Sequence, residues 1–164
     1  MQQGYGMKTY NHNELEQRYQ ETGLTSHMED YMEAIAMLMV DNKVVRVKDI
    51  AKKLDIKMPS VTAALNKLKE MALIEYEKYG FIELTEKGQE VAGNVYNKHT
   101  CISEFFERVL LMNPESADSE ACKVEHALDP DTCIRIHQFL DFFSSEEAEK
   151  SEWINRMKKI FITE

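Results

Sequence analysis

The run from Val44 to Leu73, VVRVKDIAKKLDIKMPSVTAALNKLKEMAL, decides the fold. Val47, Ile50, Ala51 and Leu54 recur at the spacing of one helix face, and Val61, Ala64, Leu65 and Leu68 do so again. Asp55-Ile-Lys-Met lies between them. Pro59 stands at the start of the second stripe, where a missing N–H costs a helix nothing. The stretch predicts helix, turn, helix. The outward positions early in the second helix are Ser60, Thr62, Ala63, Asn66 and Lys67, small or polar enough to approach base edges. Lys48, Lys52, Lys53, Lys57, Lys67 and Lys69 are cations of the kind that meet phosphates.

Downstream, Ile74, Tyr76 and Lys78 alternate, a Tyr79-Gly80 turn follows, and Phe81 and Glu83 alternate again. That pattern predicts a short hairpin. A helix-turn-helix followed by a hairpin is the winged-helix order, which makes Lys78 a wing cation. Thr85 is a plausible cap for a long helix from about Glu86 to Leu111. Its second half, with Ile102, Phe105, Phe106, Val109 and Leu110, carries more large apolar residues than one small domain hides. We read it as a link into a dimerisation surface. Upstream, Met28, Tyr31, Met32, Ile35, Leu38 and Met39 predict a helix capped by Ser26, with Glu29 at the reciprocal position. Asp30 and Glu33 lie on another of its faces. Residues 1–25 read as an arm or accessory helix.

After the break at Asn113-Pro114 comes Glu120-Ala-Cys-Lys-Val-Glu-His126. Read as a helix, it puts Cys122, Glu125 and His126 on one face at i, i+3 and i+4. A thiolate, a carboxylate and an imidazole are a partial ligand set for a transition metal. A surface patch with Cys122 as a small packing residue would use the same letters. Ile134, Ile136, Phe139, Leu140, Phe142 and Phe143 then form another apolar helical stripe, and Trp153, Met157, Ile160 and Phe161 a terminal one.

Composition narrows the class. The chain has 164 residues, is 43% hydrophobic and 30% charged, and has no apolar run long enough to span a bilayer. Three cysteines at no disulfide-like spacing suit a reducing cytoplasm. Net charge is −9, unevenly spread. Lys43 to Glu90 holds 10 Lys/Arg against 8 Asp/Glu, and the remainder holds 10 against 21. A near-neutral to basic block inside an acidic chain fits a DNA-reading module joined to an acidic metal-binding one.

Taken in order, Met28-Glu-Asp-Tyr-Met-Glu33, Met58-Pro-Ser-Val-Thr62, Leu84-Thr-Glu-Lys-Gly88, Lys98-His99 and Glu120-Ala-Cys-Lys-Val-Glu-His126 resemble the diphtheria-toxin-repressor family of metal-dependent transcription repressors. The resemblance covers residues 26–143. It implies a mostly α-helical protein: a winged-helix DNA-binding domain over 26–90 and an all-helical dimerisation and metal-binding domain over 91–164. By position it implies Asp30, Glu33, His99, Cys122, Glu125 and His126 as metal ligands. It also implies a homodimer that binds double-stranded operator DNA when loaded, in the cytoplasm and without a membrane. Asp30 and Glu33 resemble the manganese branch, and Cys122 resembles the iron branch. Sulfur favours Fe(II) over Mn(II), and such a set would also take Zn(II) or Co(II).

Two other readings use the same residues. One is a metal-independent winged-helix regulator that senses a small molecule. The other is a metalloenzyme with Glu125 as a base. The chain has no Gly-rich phosphate loop and no His-Glu-x-x-His run, and its candidate ligands are numerous enough to close a coordination sphere, whereas a catalytic site keeps a position open.

Overall fold

The two apolar stripes of residues 44–73 fold as their spacing demands. In the computed structural model, which describes residues 10–41, 44–77, 80–145 and 150–162, they become α3 (Val47–Lys53) and α4 (Met58–Glu70). Asp49 accepts a hydrogen bond from the Arg46 N–H at 3.0 Å and so fixes the start of α3. Pro59 lies in the first turn of α4. Val61, Leu65 and Leu68 are fully buried with Ile50, and α2 (Ser26–Asp41) adds Met32 and Ile35 to the same core. Ser26 is the first residue of α2 rather than its cap. Glu29 instead accepts from the Thr22 hydroxyl at 2.6 Å.

The expected hairpin is β1 (Ile74–Tyr76) against β2 (Ile82–Leu84), antiparallel, with Ile74 opposite Leu84. Val45 bridges to Ile82 as a third short edge. The motif Leu84-Thr-Glu-Lys-Gly88 then joins wing to helix. The Thr85 hydroxyl donates to the Ala72 carbonyl at 2.8 Å and accepts from the Gly88 N–H at 3.0 Å. Gly88 is required here, because a Cβ at that position would sit 1.8 Å from the Leu73 carbonyl oxygen.

The helix that follows, α5 (Glu86–Arg108), ends slightly before the expected Leu111. Leu111 takes a left-handed conformation, and the Met112 N–H returns to the Phe106 carbonyl at 3.1 Å, which closes the helix end. The chain continues as α6 (Pro114–Val124), a single 3₁₀ turn (Glu125–Ala127), α7 (Pro130–Phe143) and α8 (Glu152–Ile162).

These elements form two units. One spans Glu21–Asn97. The other joins the segment ending at Gln20 to Lys98–Glu164. The division falls inside α5, seven residues beyond the expected 90/91 boundary. α1 (His12–Arg18) packs on α7 in the second unit, so of the two alternatives for residues 1–25, an arm or an accessory helix, this segment takes the helix. Leu15 and Tyr19 are buried there with Cys101, Ile102, Cys133 and Ile154. The Tyr19 hydroxyl meets His137 Nδ1 at 2.8 Å. No helix among the described residues is long and apolar enough to cross a membrane.

Candidate metal centre

Asn113 and Pro114 start α6: the Asn113 side chain accepts from the Ser116 N–H at 2.9 Å, and Pro114 occupies the first turn. Glu120-Ala-Cys-Lys-Val-Glu-His126 is not the uniform helix its letters predict. α6 stops at Val124, and Glu125 to Ala127 wind as a 3₁₀ turn. The cause lies just downstream. Pro130 disfavours helical geometry at Asp129, and Leu128 and Asp129 are both extended. Asp129 then caps α7, accepting from the Thr132 N–H at 2.7 Å, and that bond holds its carboxyl below the usual carboxylate range. The tightened turn buries the Glu125 carboxylate, leaves His126 half-buried and leaves Cys122 exposed.

His99, presented by α5, is only 3% exposed. Its Nδ1 lies 2.8 Å from Glu125 Oε2 and 3.8 Å from Cys122 Sγ. Donor atoms of His99, Cys122 and Glu125 all fall within 4.8 Å of one another. Glu125 Oε1 lies 3.4 Å from His126 Nε2. Four of the six expected ligands are therefore gathered in one unit. The other two, Asp30 and Glu33, stand nearly one turn apart on α2 of the other unit, Glu33 buried and Asp30 half-buried. The donor chemistry fits a divalent transition ion. One thiol, two imidazoles and a carboxylate with little access to water match borderline metals, and burying an acid is costly unless charge of the opposite sign accompanies it.

One residue the sequence reading passed over belongs to this cluster. Asp118, one turn before Cys122 on α6, places Oδ1 3.0 Å from His99 Nε2. Its spacing from Cys122 was the available signal.

In the winged-helix unit, Lys48, Lys57, Pro59, Ser60, Asn66 and Lys67 are exposed on α3, α4 and the turn between them. Thr62 is half-buried and donates its hydroxyl to the Met58 carbonyl at 3.0 Å. Lys78 lies outside the described residues. Lys69, counted among the phosphate-facing cations, instead donates to the Tyr76 carbonyl at 2.8 Å and ties α4 to the wing.

A winged helix joined to a helical body with this donor cluster defines a metal-responsive DNA-binding regulator, and comparison with known proteins agrees. The family description "Iron dependent repressor, N-terminal DNA binding domain" matches residues 23–82, and "Iron dependent repressor, metal binding and dimerisation domain" matches residues 85–154. An HTH-type transcriptional regulator of Methanocaldococcus jannaschii is 35% identical over 124 residues, covering 75% of this chain and 99% of that one. The HTH-type transcriptional regulator MntR of Bacillus subtilis is 31% identical over 135 residues, covering 82% and 94%. Among solved structures, the IdeR protein of T. acidophilum superposes with a TM-score of 0.63 at 26% identity, covering 69% of this chain and 53% of that one. The manganese regulator SloR gives 0.62 at 29%, covering 73% and 55%. The chain spans just over half the length of these two solved structures. It belongs to the iron-dependent repressor family, whose members are metal-dependent transcription regulators and not enzymes.

Proposed function

We propose that this chain is a cytoplasmic repressor that binds operator DNA as a homodimer when loaded with Fe(II) or Mn(II), and so controls genes of metal homeostasis. The observation that carries the reading is the convergence of Glu125 Oε2 and Cys122 Sγ on His99 Nδ1, at 2.8 Å and 3.8 Å. His99, Cys122, Glu125 and His126 would hold the ion from the helical unit, and Asp30 and Glu33 would add two carboxylates from α2. A bound divalent cation would supply the positive charge that offsets these acids.

With that charge offset, Asp30 and Glu33 tie α2 to the helical unit. Without it, the same acids repel one another and the tie is loose. In a two-fold dimer this tie sets the spacing of two α4 helices, which must meet half-sites about one DNA turn apart, roughly 34 Å or a multiple. A coupling of about 1–3 kcal/mol would change DNA affinity about 5–150-fold. Exposed Lys48, Lys57 and Lys67 would contact phosphates, and Ser60, Thr62 and Asn66 would face base edges, with Pro59 starting the reading helix.

Between the two metals, the Cys122 sulfur favours Fe(II), while the acids Asp30, Glu33 and Glu125 are ligands that Mn(II) accepts equally well. Zn(II) and Co(II) would occupy the same donors in vitro.

The test is to enrich a random duplex pool on the protein with Mn(II) or anaerobic Fe(II), then measure fluorescence anisotropy on the selected duplex with each metal and with chelator. Affinity should fall at least about 5-fold in chelator. Equal affinity in metal and chelator, or no duplex enriched under either metal, would remove the reading.

A further inference from the structure

We infer that Asp118 is a positioning residue for His99. It accepts the Nε2 proton of the ring and so commits Nδ1 to the metal. The inference rests on the proposed metal centre and adds to it a residue outside the six ligands.

The geometry is asymmetric in a way that decides the assignment. Cys122 and Glu125 approach the Nδ1 edge of the ring, so an ion shared with them must bond Nδ1. A neutral imidazole carries one proton, and a ring that offers Nδ1 as a donor must carry that proton on Nε2. Water has little access to Nε2 itself, since His99 is 3% exposed. A buried N–H needs an acceptor. Asp118 Oδ1, at 3.0 Å, supplies it.

The opposing pull is close at hand. Glu125 Oε2 is itself an acceptor for an Nδ1 proton, so without Asp118 the ring gains by turning its proton toward Glu125 and blocking the ligating nitrogen. Placement on the scaffold supports the role. Asp118 sits mid-helix on α6, one turn from Cys122, so the thiol and the acceptor for the ring are fixed by the same rigid element. Its own side chain is 63% exposed, so its replacement disturbs little packing. An acceptor on the far nitrogen of a ligating histidine fixes ring and tautomer together, and its loss costs about 10–100-fold in metal affinity.

The experiment uses the full chain and Zn(II), a diamagnetic probe of the donor set. Zinc affinity and stoichiometry are measured by chelator competition, and the His99 ring is followed by ¹⁵N NMR in the zinc-loaded protein. Wild type should show Nδ1 ligation and a protected Nε2 proton. Asp118→Ala should lose that protection and about 10–100-fold in affinity. Asp118→Asn keeps an acceptor oxygen and should restore most of both.

If Asp118→Ala keeps the protected proton and binds zinc within about twofold of wild type, the positioning role is wrong. If Asp118→Asn falls with Asp118→Ala and one zinc ion is lost from the stoichiometry, Asp118 is a ligand to a second ion, and the assignment is overturned in that way. If His99→Ala binds zinc as wild type does, the metal centre itself fails and takes this inference with it. That outcome is distinct from the first two, in which His99 still matters.

Discussion

Glu125→Gln separates charge from shape at the centre of the cluster. Glu125 is 2% exposed, and its two oxygens reach both imidazoles, Oε2 to His99 at 2.8 Å and Oε1 to His126 at 3.4 Å. Glutamine has the same size, so packing survives while the anionic ligand is lost. Metal held by the native state alone stabilises it by about 2.7 kcal/mol when free metal is 100 times the dissociation constant. With an unfolding entropy of about 2.1 cal/mol/K per residue, 164 residues give about 0.34 kcal/mol/K. The wild-type melting temperature should therefore rise by about 8 °C.

Losing a ligand should cost at least what losing an outer partner does, up to about 100-fold in affinity. At the same metal concentration the stabilisation then drops to about 0.4 kcal/mol, and the rise to about 1 °C. Calorimetry or dye-monitored melting with Mn(II), Zn(II) and chelator reads the difference directly. A Glu125→Gln variant whose metal-induced rise equals that of wild type would show that this carboxylate does not ligate.

Three further outcomes follow from single side chains. Burial pushes the Cys101 thiol up to about 12 and the Cys133 thiol up to about 11, while Cys122 is exposed, so a maleimide at neutral pH should modify Cys122 first and Zn(II) should protect it. Peptide mapping that finds Cys101 or Cys133 modified first, or no protection by zinc, would contradict this. His137 is held below its ordinary 6.5 mainly by burial, against the pull of Asp141 and with the help of the Arg18 charge. The unfolded chain therefore binds the proton first as pH falls, and stability should decline from about pH 6.5 down to the depressed folded value, then level off. In urea titrations with chelator present, His137→Gln should show a shallower slope across that window than wild type, and an unchanged slope would refute the assignment. Gly88→Ala places a Cβ 1.8 Å from the Leu73 carbonyl, so it should cost about 1–3 kcal/mol or more and lower the melting point by at least about 3 °C. A neutral result in thermal melts would mean that the approach of α5 to that carbonyl can relax freely.

Local chemistry made much of the chain legible. The paired stripes of α3 and α4, the alternation of the wing and the cap at Thr85 are periodic or capping signals contained in a few consecutive residues. Such signals survive without tertiary context, whereas Gly88 is required by the Leu73 carbonyl, 15 residues away. Cys122, Glu125 and His126 were legible as a partial ligand set from their spacing on one helix face, whereas His99 joined them only through the family resemblance.

One thing the letters left undetermined is local: Glu125 turns inward while Cys122 stays exposed because α6 ends in a 3₁₀ turn before the extended Leu128-Asp129 pair. The rest depends on elements distant in sequence. That α1 belongs with α7 depends on Tyr19 meeting His137, 118 residues away. That Lys69 braces the wing instead of facing phosphate depends on a strand carbonyl. And Asp118 gains meaning only when α5 brings a histidine nitrogen to within 3.0 Å of it. The sequence determined which groups exist and which helices carry them. Only the packing of those helices decided which groups share a site, because a hydrogen bond or a metal bond selects on distances of a few ångströms that no one-dimensional spacing encodes.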